Sequence, residues 1–263
     1  MLLSLTTQQT IAVNCYGSGE PIIFVNGFGS YQEIWAGQIA TTIKAKFTVI
    51  TWDYRGQGAS LGEPATSLDQ LADDLAALIN QLQLQRPILI GHSMGCSVIW
   101  NLRQRHPEIA IKAEILVDQS PKMINTVTWP YGFVGIDETN WQTTYARRPQ
   151  IKETLHGFRE DVFEQFNHAK QAHPFDRAAC LSLLKNHVCA DWRATALAET
   201  VPVYFISARQ SPYYRPGYGK WIAQQNRRTT EILVPNCGHD IMAEVPAAFN
   251  HALLNVLTVL RAY

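Results

Sequence analysis

The stretch Pro87-Ile88-Leu89-Ile90-Gly91-His92-Ser93-Met94-Gly95-Cys96-Ser97-Val98-Ile99-Trp100-Asn101-Leu102 decides the fold. Pro87 to Ile90 is a short apolar run, as expected of a strand buried on both faces of a sheet. Cys96 to Leu102 reads as a helix. Between them stands G-x-S-x-G, and strand, G-x-S-x-G, helix is the context of a nucleophile elbow. The glycines have a physical role: a sharp turn at Ser93 brings strand and helix so close that flanking side chains would collide. The turn exposes the Ser93 hydroxyl. It also aims amide N–H groups at the helix start toward the same spot, where negative charge is favoured. Ser93 is the candidate nucleophile. A Gly-rich turn with an idle serine is the competing reading.

Outward from this turn, strands and helices alternate. Upstream, a strand is expected at Gln9–Tyr16 and buried strands at Pro21–Val25 and Phe47–Trp52. A helix is expected over Trp35–Lys44, with Ile34, Ile39 and Ile43 facing inward. Ser67 is placed to cap a second helix, in which Leu68, Leu71, Ala72, Leu75, Leu78, Ile79 and Leu82 keep helical spacing. Downstream, the elbow helix runs to about His106 and stops at Pro107. Ala113–Asp118 is the next strand. The rhythm then breaks: from Lys122 to about Ala190 there is no clean buried strand. Helical patterns run roughly Gln150 to His173 and Pro174 to Val188. It resumes with strands at Val201–Ser207 and Glu231–Val234, a helix around Trp221, and a closing helix over Glu244–Leu260 with Pro246 in its first turn. Such alternation predicts an α/β fold with a mostly parallel sheet of about eight strands and helices on both faces. The expected organisation is a core of residues 1–121 and 191–263, with 122–190 inserted as a helical cap.

Composition narrows the function classes. The chain has 263 residues, 46% of them hydrophobic, an ordinary globular value. Lys+Arg and Asp+Glu are balanced at 22 each, so no basic excess points to nucleic acid or an anionic membrane surface. Cys15, Cys96, Cys180, Cys189 and Cys237 are scattered without C-x-x-C spacing, which argues against zinc and redox motifs and fits reduced thiols. Met1 to Thr6 lacks the features of a signal peptide, and no apolar run approaches a membrane span. The expectation is a soluble cytoplasmic protein. No metal site or nucleotide fingerprint is recognisable, so no cofactor is expected. Oligomeric state is not readable.

Four motifs in order resemble those of the α/β-hydrolase superfamily, in its capped single-domain branch. They are Asn26-Gly27-Phe28-Gly29, Asp53-Tyr54-Arg55-Gly56-Gln57-Gly58-Ala59-Ser60, the Gly91–Gly95 elbow, and Gly238-His239 followed by Glu244-Val245-Pro246 and Phe249-Asn250. The resemblance implies His239 as the general base that a serine nucleophile needs. The backbone N–H groups of Phe28 and Met94 become the oxyanion hole, with Asn26 and Gly27 beside them expected to line the substrate pocket. His92 is expected to point toward the sheet. His106, His168, His173 and His187, on or near helices, read as structural or surface residues.

The acid departs from the family pattern. Its usual position falls in Ala208-Arg209-Gln210-Ser211-Pro212, where Ser211 stands instead of a carboxylate. The other placement known in the superfamily, at the end of the strand after the elbow helix, is Asp118. Asp53, Asp191 and Asp240 are weaker candidates. With Ser93, His239 and Asp118 the expected reaction is acyl transfer to water. The expected substrate is a small-to-medium carboxylic ester in a pocket that Trp129, Tyr131 and Phe133 help to line. A lactone such as an acyl-homoserine lactone, C–C bond hydrolysis, haloperoxidation as a side activity, and a non-catalytic binding protein are the alternatives.

Overall fold

The computed structural model describes residues 1–6, 9–147 and 151–262. The strands are β1 (Leu2–Ser4), β2 (Thr10–Gly17), β3 (Glu20–Val25), β4 (Phe47–Trp52), β5 (Ile88–His92), β6 (Ala113–Val117), β7 (Val203–Ala208) and β8 (Thr229–Val234). They form one eight-stranded sheet in the order β1-β2-β4-β3-β5-β6-β7-β8. β1, β2 and β4 pair antiparallel, and every pair from β4 to β8 is parallel. The helices are α1 (Ala36–Lys44), α2 (Leu68–Gln81), α3 (Met94–Arg105), α4 (Trp141–Thr144), α5 (Glu160–Ala172), α6 (Leu181–Cys189), α7 (Arg193–Ala198), α8 (Tyr218–Ala223), α9 (Ile241–Glu244) and α10 (Pro246–Arg261). No helix among the described residues is long and apolar enough to cross a membrane. The expected α/β-hydrolase fold is the one observed.

The apolar runs of the central strands are continuous because alternate residues enter different cores. Ile23, Val25, Leu89 and Leu116 join a cluster with Leu71, Leu75 and Leu78 of α2 and Val98 and Leu102 of α3. Ile22, Phe24, Ile88, Ile90, Ile115 and Val117 join a second cluster with Leu253, Val256 and Leu257 of α10. Burying each large aliphatic side chain contributes about 1.5–3 kcal/mol, so both faces of the sheet stabilise the frame. α2 follows its sequence pattern: its periodic apolar residues are buried, and Ser67 Oγ accepts from the Gln70 amide at 3.4 Å.

Parallel pairing puts the carboxyl ends of β3, β5, β6, β7 and β8 along one edge. The register sets Val25 beside Gly91, His92 beside Val117, Val117 beside Ile206, and Ala208 beside Val234. The loops leaving these positions meet above that edge, where ligands bind in open α/β sheets.

The segment between β6 and β7 differs from expectation in its helices. The helix expected from Gln150 begins only at Glu160, and Gln150 itself lies outside the described residues. The amides of Leu155 and His156 both donate to Glu244 Oε1 at 2.7 Å, so they are unavailable to an earlier helical turn. Gly157 then takes φ 81°, outside the helical range. The helix expected from Pro174 likewise begins late, at Leu181; Asp176 first turns the chain by accepting from the Ala179 amide. The edge strand β1 and a single 3-10 turn over Gln32–Trp35 had no clear sequence pattern.

Candidate active site

Ser93 sits between β5 and α3 at φ 52° and ψ −123°, a backbone conformation that L-residues rarely adopt. Two close approaches make the turn possible. A Cβ on Gly91 would come within 2.7 Å of the Cys96 nitrogen. One on Gly95 would collide with the Val25 carbonyl at the end of β3. The second glycine thus answers to a neighbouring strand as well as to the elbow. Met94 is the first residue of α3, where amide N–H groups lack helical partners.

Asp118 leaves β6 at φ 46°, also in the left-handed region. Its carboxylate is 1% exposed and receives three bonds. His239 Nδ1 lies 2.7 Å from Oδ2, Ser211 Oγ donates to Oδ2 at 2.6 Å, and the Ala208 amide donates to Oδ1 at 3.0 Å. Ser211, at the position where the family usually carries its acid, therefore holds the carboxylate supplied by the adjacent strand. The sequence placed Ser211 at this position without revealing that contact.

His239 is 4% exposed. Burial alone would lower its pKa; the bond to Asp118 and that carboxylate's charge, with Asp240 and Glu153 nearby, offset this and leave it raised above the ordinary histidine value. With Nδ1 held by Asp118, Nε2 is the nitrogen left for proton transfer. The loop carrying His239 is clamped from both sides. Its amide donates to the Glu153 carbonyl at 2.6 Å, and the Gly238 amide donates to Glu244 Oε2 at 2.7 Å. Tyr213 donates to Glu153 Oε1 at 2.7 Å and packs edge-on against the His239 ring at 4.8 Å. No hydrogen bond links Ser93 Oγ to His239; such contacts often tighten only when substrate binds.

The weaker acid candidates have other partners. Asp53 accepts from Gln32 and from the Ala59 amide, bracing its own turn. Asp191 pairs with Arg193. Asp240 approaches His92 Nε2 at 3.6 Å. His92 lies under the base, its ring 4.6 Å from that of His239 and its Nε2 3.2 Å from the His239 carbonyl. Burial, then the neighbouring His239, holds the His92 pKa well below the ordinary value, so it is neutral.

Ser93 and His239 open onto a cavity of about 370 Å³, together with Gly27 and Phe28. Its apolar wall includes Met123, Phe133, Ile136, Leu184 and Val188. Of the residues expected to line the pocket, Gly27 and Phe133 do. Asn26, Trp129 and Tyr131 do not. Asn26 is fully buried, donating to the Trp52 carbonyl and accepting from Trp35 Nε1. It braces the turn that carries Phe28. Trp129 is also fully buried: its indole donates to the Lys122 carbonyl and stacks edge-on with Trp221 and Tyr131. Polar residues that local sequence did not flag also reach the cavity, among them Arg147, Glu153, Arg177 and His187.

This sheet, with a serine elbow, a strand-end carboxylate and a terminal histidine at one edge, defines an α/β hydrolase. The model of the alpha/beta hydrolase family matches residues 22–252, and the chain belongs to that family. It is 28% identical over 260 residues to 3-oxoadipate enol-lactonase 2 of Acinetobacter baylyi, covering 95% of each chain. It is 33% identical over 263 aligned positions to the AB hydrolase superfamily protein YfhM of Bacillus subtilis, covering 91% of this chain and 90% of that one. Among solved structures it resembles the bromoperoxidase from Bacillus anthracis, with TM-score 0.82, 19% identity and coverage of 98% and 99%. That last likeness is one of fold. The sequence relatives support hydrolase activity.

Proposed function

We propose that the protein is a serine hydrolase that cleaves a small-to-medium carboxylic ester through an acyl-enzyme. The observation that carries this reading is the buried 2.7 Å contact between His239 Nδ1 and Asp118 Oδ2, beside a cavity that Ser93 also lines. Ser93 Oγ attacks the ester carbonyl as His239 Nε2 takes its proton. The oxyanion accepts from the Phe28 and Met94 amides, a stabilisation in which one donor is worth on the order of 3 kcal/mol. Collapse of the intermediate expels the alcohol, which receives the proton from Nε2. Water then repeats the sequence on the acyl-enzyme and frees the acid. Asp118 stays ionised throughout, fixing the tautomer and stabilising the imidazolium.

The segment 122–190 is the cap in this reading: with residues 1–121 and 191–263 as the core, it encloses the acyl or alcohol part of the substrate. A binding-only role would fit Ser211 at the position of the usual acid. Asp118 supplies a carboxylate to the same histidine, which favours catalysis. A lactone is the second reading, favoured by the likeness to 3-oxoadipate enol-lactonase 2 over 95% of both chains. The same steps open a cyclic ester, with the leaving hydroxyl, protonated from Nε2, retained on the product. A panel of p-nitrophenyl esters graded by chain length, beside a lactone panel, tests both. Turnover of an ester or lactone that is lost in Ser93→Ala supports the proposal. No turnover and no Ser93 labelling by a fluorophosphonate would sink it.

A further inference from the structure

His187 is a buried imidazole whose Nδ1 has no hydrogen-bond partner among the described residues. It stands on α6, is 4% exposed, and lines the same cavity as Ser93 and His239. Nδ1 is fully buried with no partner. The cost of leaving such a group unpaired in a protein interior is large enough that each instance needs a reason.

Most of the other polar side chains nearby are committed within the protein; Ser30 Oγ, on the same cavity, is also buried without a partner. Tyr213 donates to Glu153, and Tyr214 donates to Gln119 at 2.9 Å. Thr144 donates to the Asn140 carbonyl. Arg177 reaches the Arg147 carbonyl at 3.3 Å and lies over the Phe28 ring. The second buried imidazole of the cavity, His92, uses Nε2 on the His239 carbonyl, and its Nδ1, also without a partner, faces Gly27.

The position of His187 is also fixed. Leu183, Leu184 and Val188 on the same helix are buried in the core. The preceding residue, Asn186, accepts from the Leu68 amide at 2.8 Å and ties α6 to the first turn of α2. A rigid support of this kind is what a recognition group needs. Burial, with the charge of His239 behind it, takes the His187 pKa down to about 3, so the ring carries one donor and one acceptor across the working range.

We propose that His187 is a specificity-determining residue that hydrogen-bonds an oxygen of the substrate, a hydroxyl or carbonyl group in the acyl or alcohol part, away from the carbonyl that Ser93 attacks. The proposal rests on the hydrolase reading and adds a substrate class to it: oxygen-substituted esters over plain alkyl esters. A site with an unpaired polar group rejects the analogue that cannot pair with it, whereas an apolar pocket discriminates weakly against an added hydroxyl.

Two matched pairs test this by pH-stat: ethyl butyrate against ethyl 3-hydroxybutyrate, and butyl butyrate against 3-hydroxybutyl butyrate. The wild type should favour the hydroxylated member of at least one pair in kcat/KM. In His187→Leu that preference should fall by roughly tenfold or more, and His187→Gln should recover part of it. The preference should be flat with pH between about 5.5 and 8.5, because the ring does not titrate there. Thermal unfolding separates recognition from a structural role. Removing an unpaired buried group should leave the melting temperature of His187→Leu equal or higher, whereas loss of a structural contact would lower it. An unchanged preference in both pairs overturns the proposal and leaves the hydrolase reading intact. Absence of turnover of all four esters by the wild type, with Ser93 unlabelled by a fluorophosphonate, overturns both.

Discussion

The edge of the sheet and the segment between β6 and β7 each bring a buried histidine to one cavity. Burial pushes both pKa values down, yet they end in opposite states. His239 has Asp118 at 2.7 Å, and that carboxylate returns it above the ordinary histidine value. His187 has no carboxylate and is held near 3. In the proposed mechanism the same side chain serves as a proton carrier in one wall and as a neutral donor–acceptor in the other. The largest difference is Asp118, which stands on a strand end. Strand ends are located by the register of the sheet, whereas helices of the β6–β7 segment are located by individual side-chain contacts such as Asn186 to the Leu68 amide.

The comparison breaks most completely if the sheet edge does not carry the chemistry. Ser93→Ala should lower kcat by on the order of 10⁶ with the fold retained, measured on p-nitrophenyl esters beside circular dichroism. Asp118→Asn comes next. It should cost about 10⁴ in kcat, since the amide holds the wrong tautomer of His239. Turnover near the wild-type level in either variant contradicts the assignment.

A pH profile sharpens the contrast between the two histidines. His239 acts as a base when neutral, so kcat/KM should rise with pH through a pKa above 6.5 and be lost below it. In residual Asp118→Asn activity the raising carboxylate is gone and burial remains, so the acid limb should move to lower pH. A limb that stays in place means that another group titrates. The smallest effect is expected at Ser211. Ser211→Ala removes one donor to Asp118, worth about 0.5–1.5 kcal/mol, and should reduce kcat severalfold with KM little altered. A loss as large as that of Asp118→Asn would mean that Ser211 does more than steady the carboxylate.

Ser93, Asp118 and His239 could be named as candidates because each follows a recognisable strand. Two glycines mark the first, and a resemblance of four ordered motifs marks the last. Asp118 could be named because a carboxylate was missing from Ala208 to Pro212 and present after Val117. The clamp on the His239 loop was not legible. Glu244 and the amides of Leu155 and His156 are almost ninety residues apart, and neither end has a local pattern that announces the other. The aromatic run after Pro121 suggested a pocket wall, but Trp129 found the Lys122 carbonyl and Trp221 and went into the core, leaving Phe133 on the cavity. His187 sits in a helix whose apolar residues read as core packing. Its place on the cavity and its unpaired Nδ1 are properties of the assembled fold.

The most direct test of the central claim is mass spectrometry of the protein quenched during turnover of p-nitrophenyl acetate. The account predicts a burst of p-nitrophenol and an acetyl group on the peptide containing Ser93, absent in Ser93→Ala. Hydrolysis that proceeds undiminished in Ser93→Ala, or an acetyl group carried by a different residue, would contradict it.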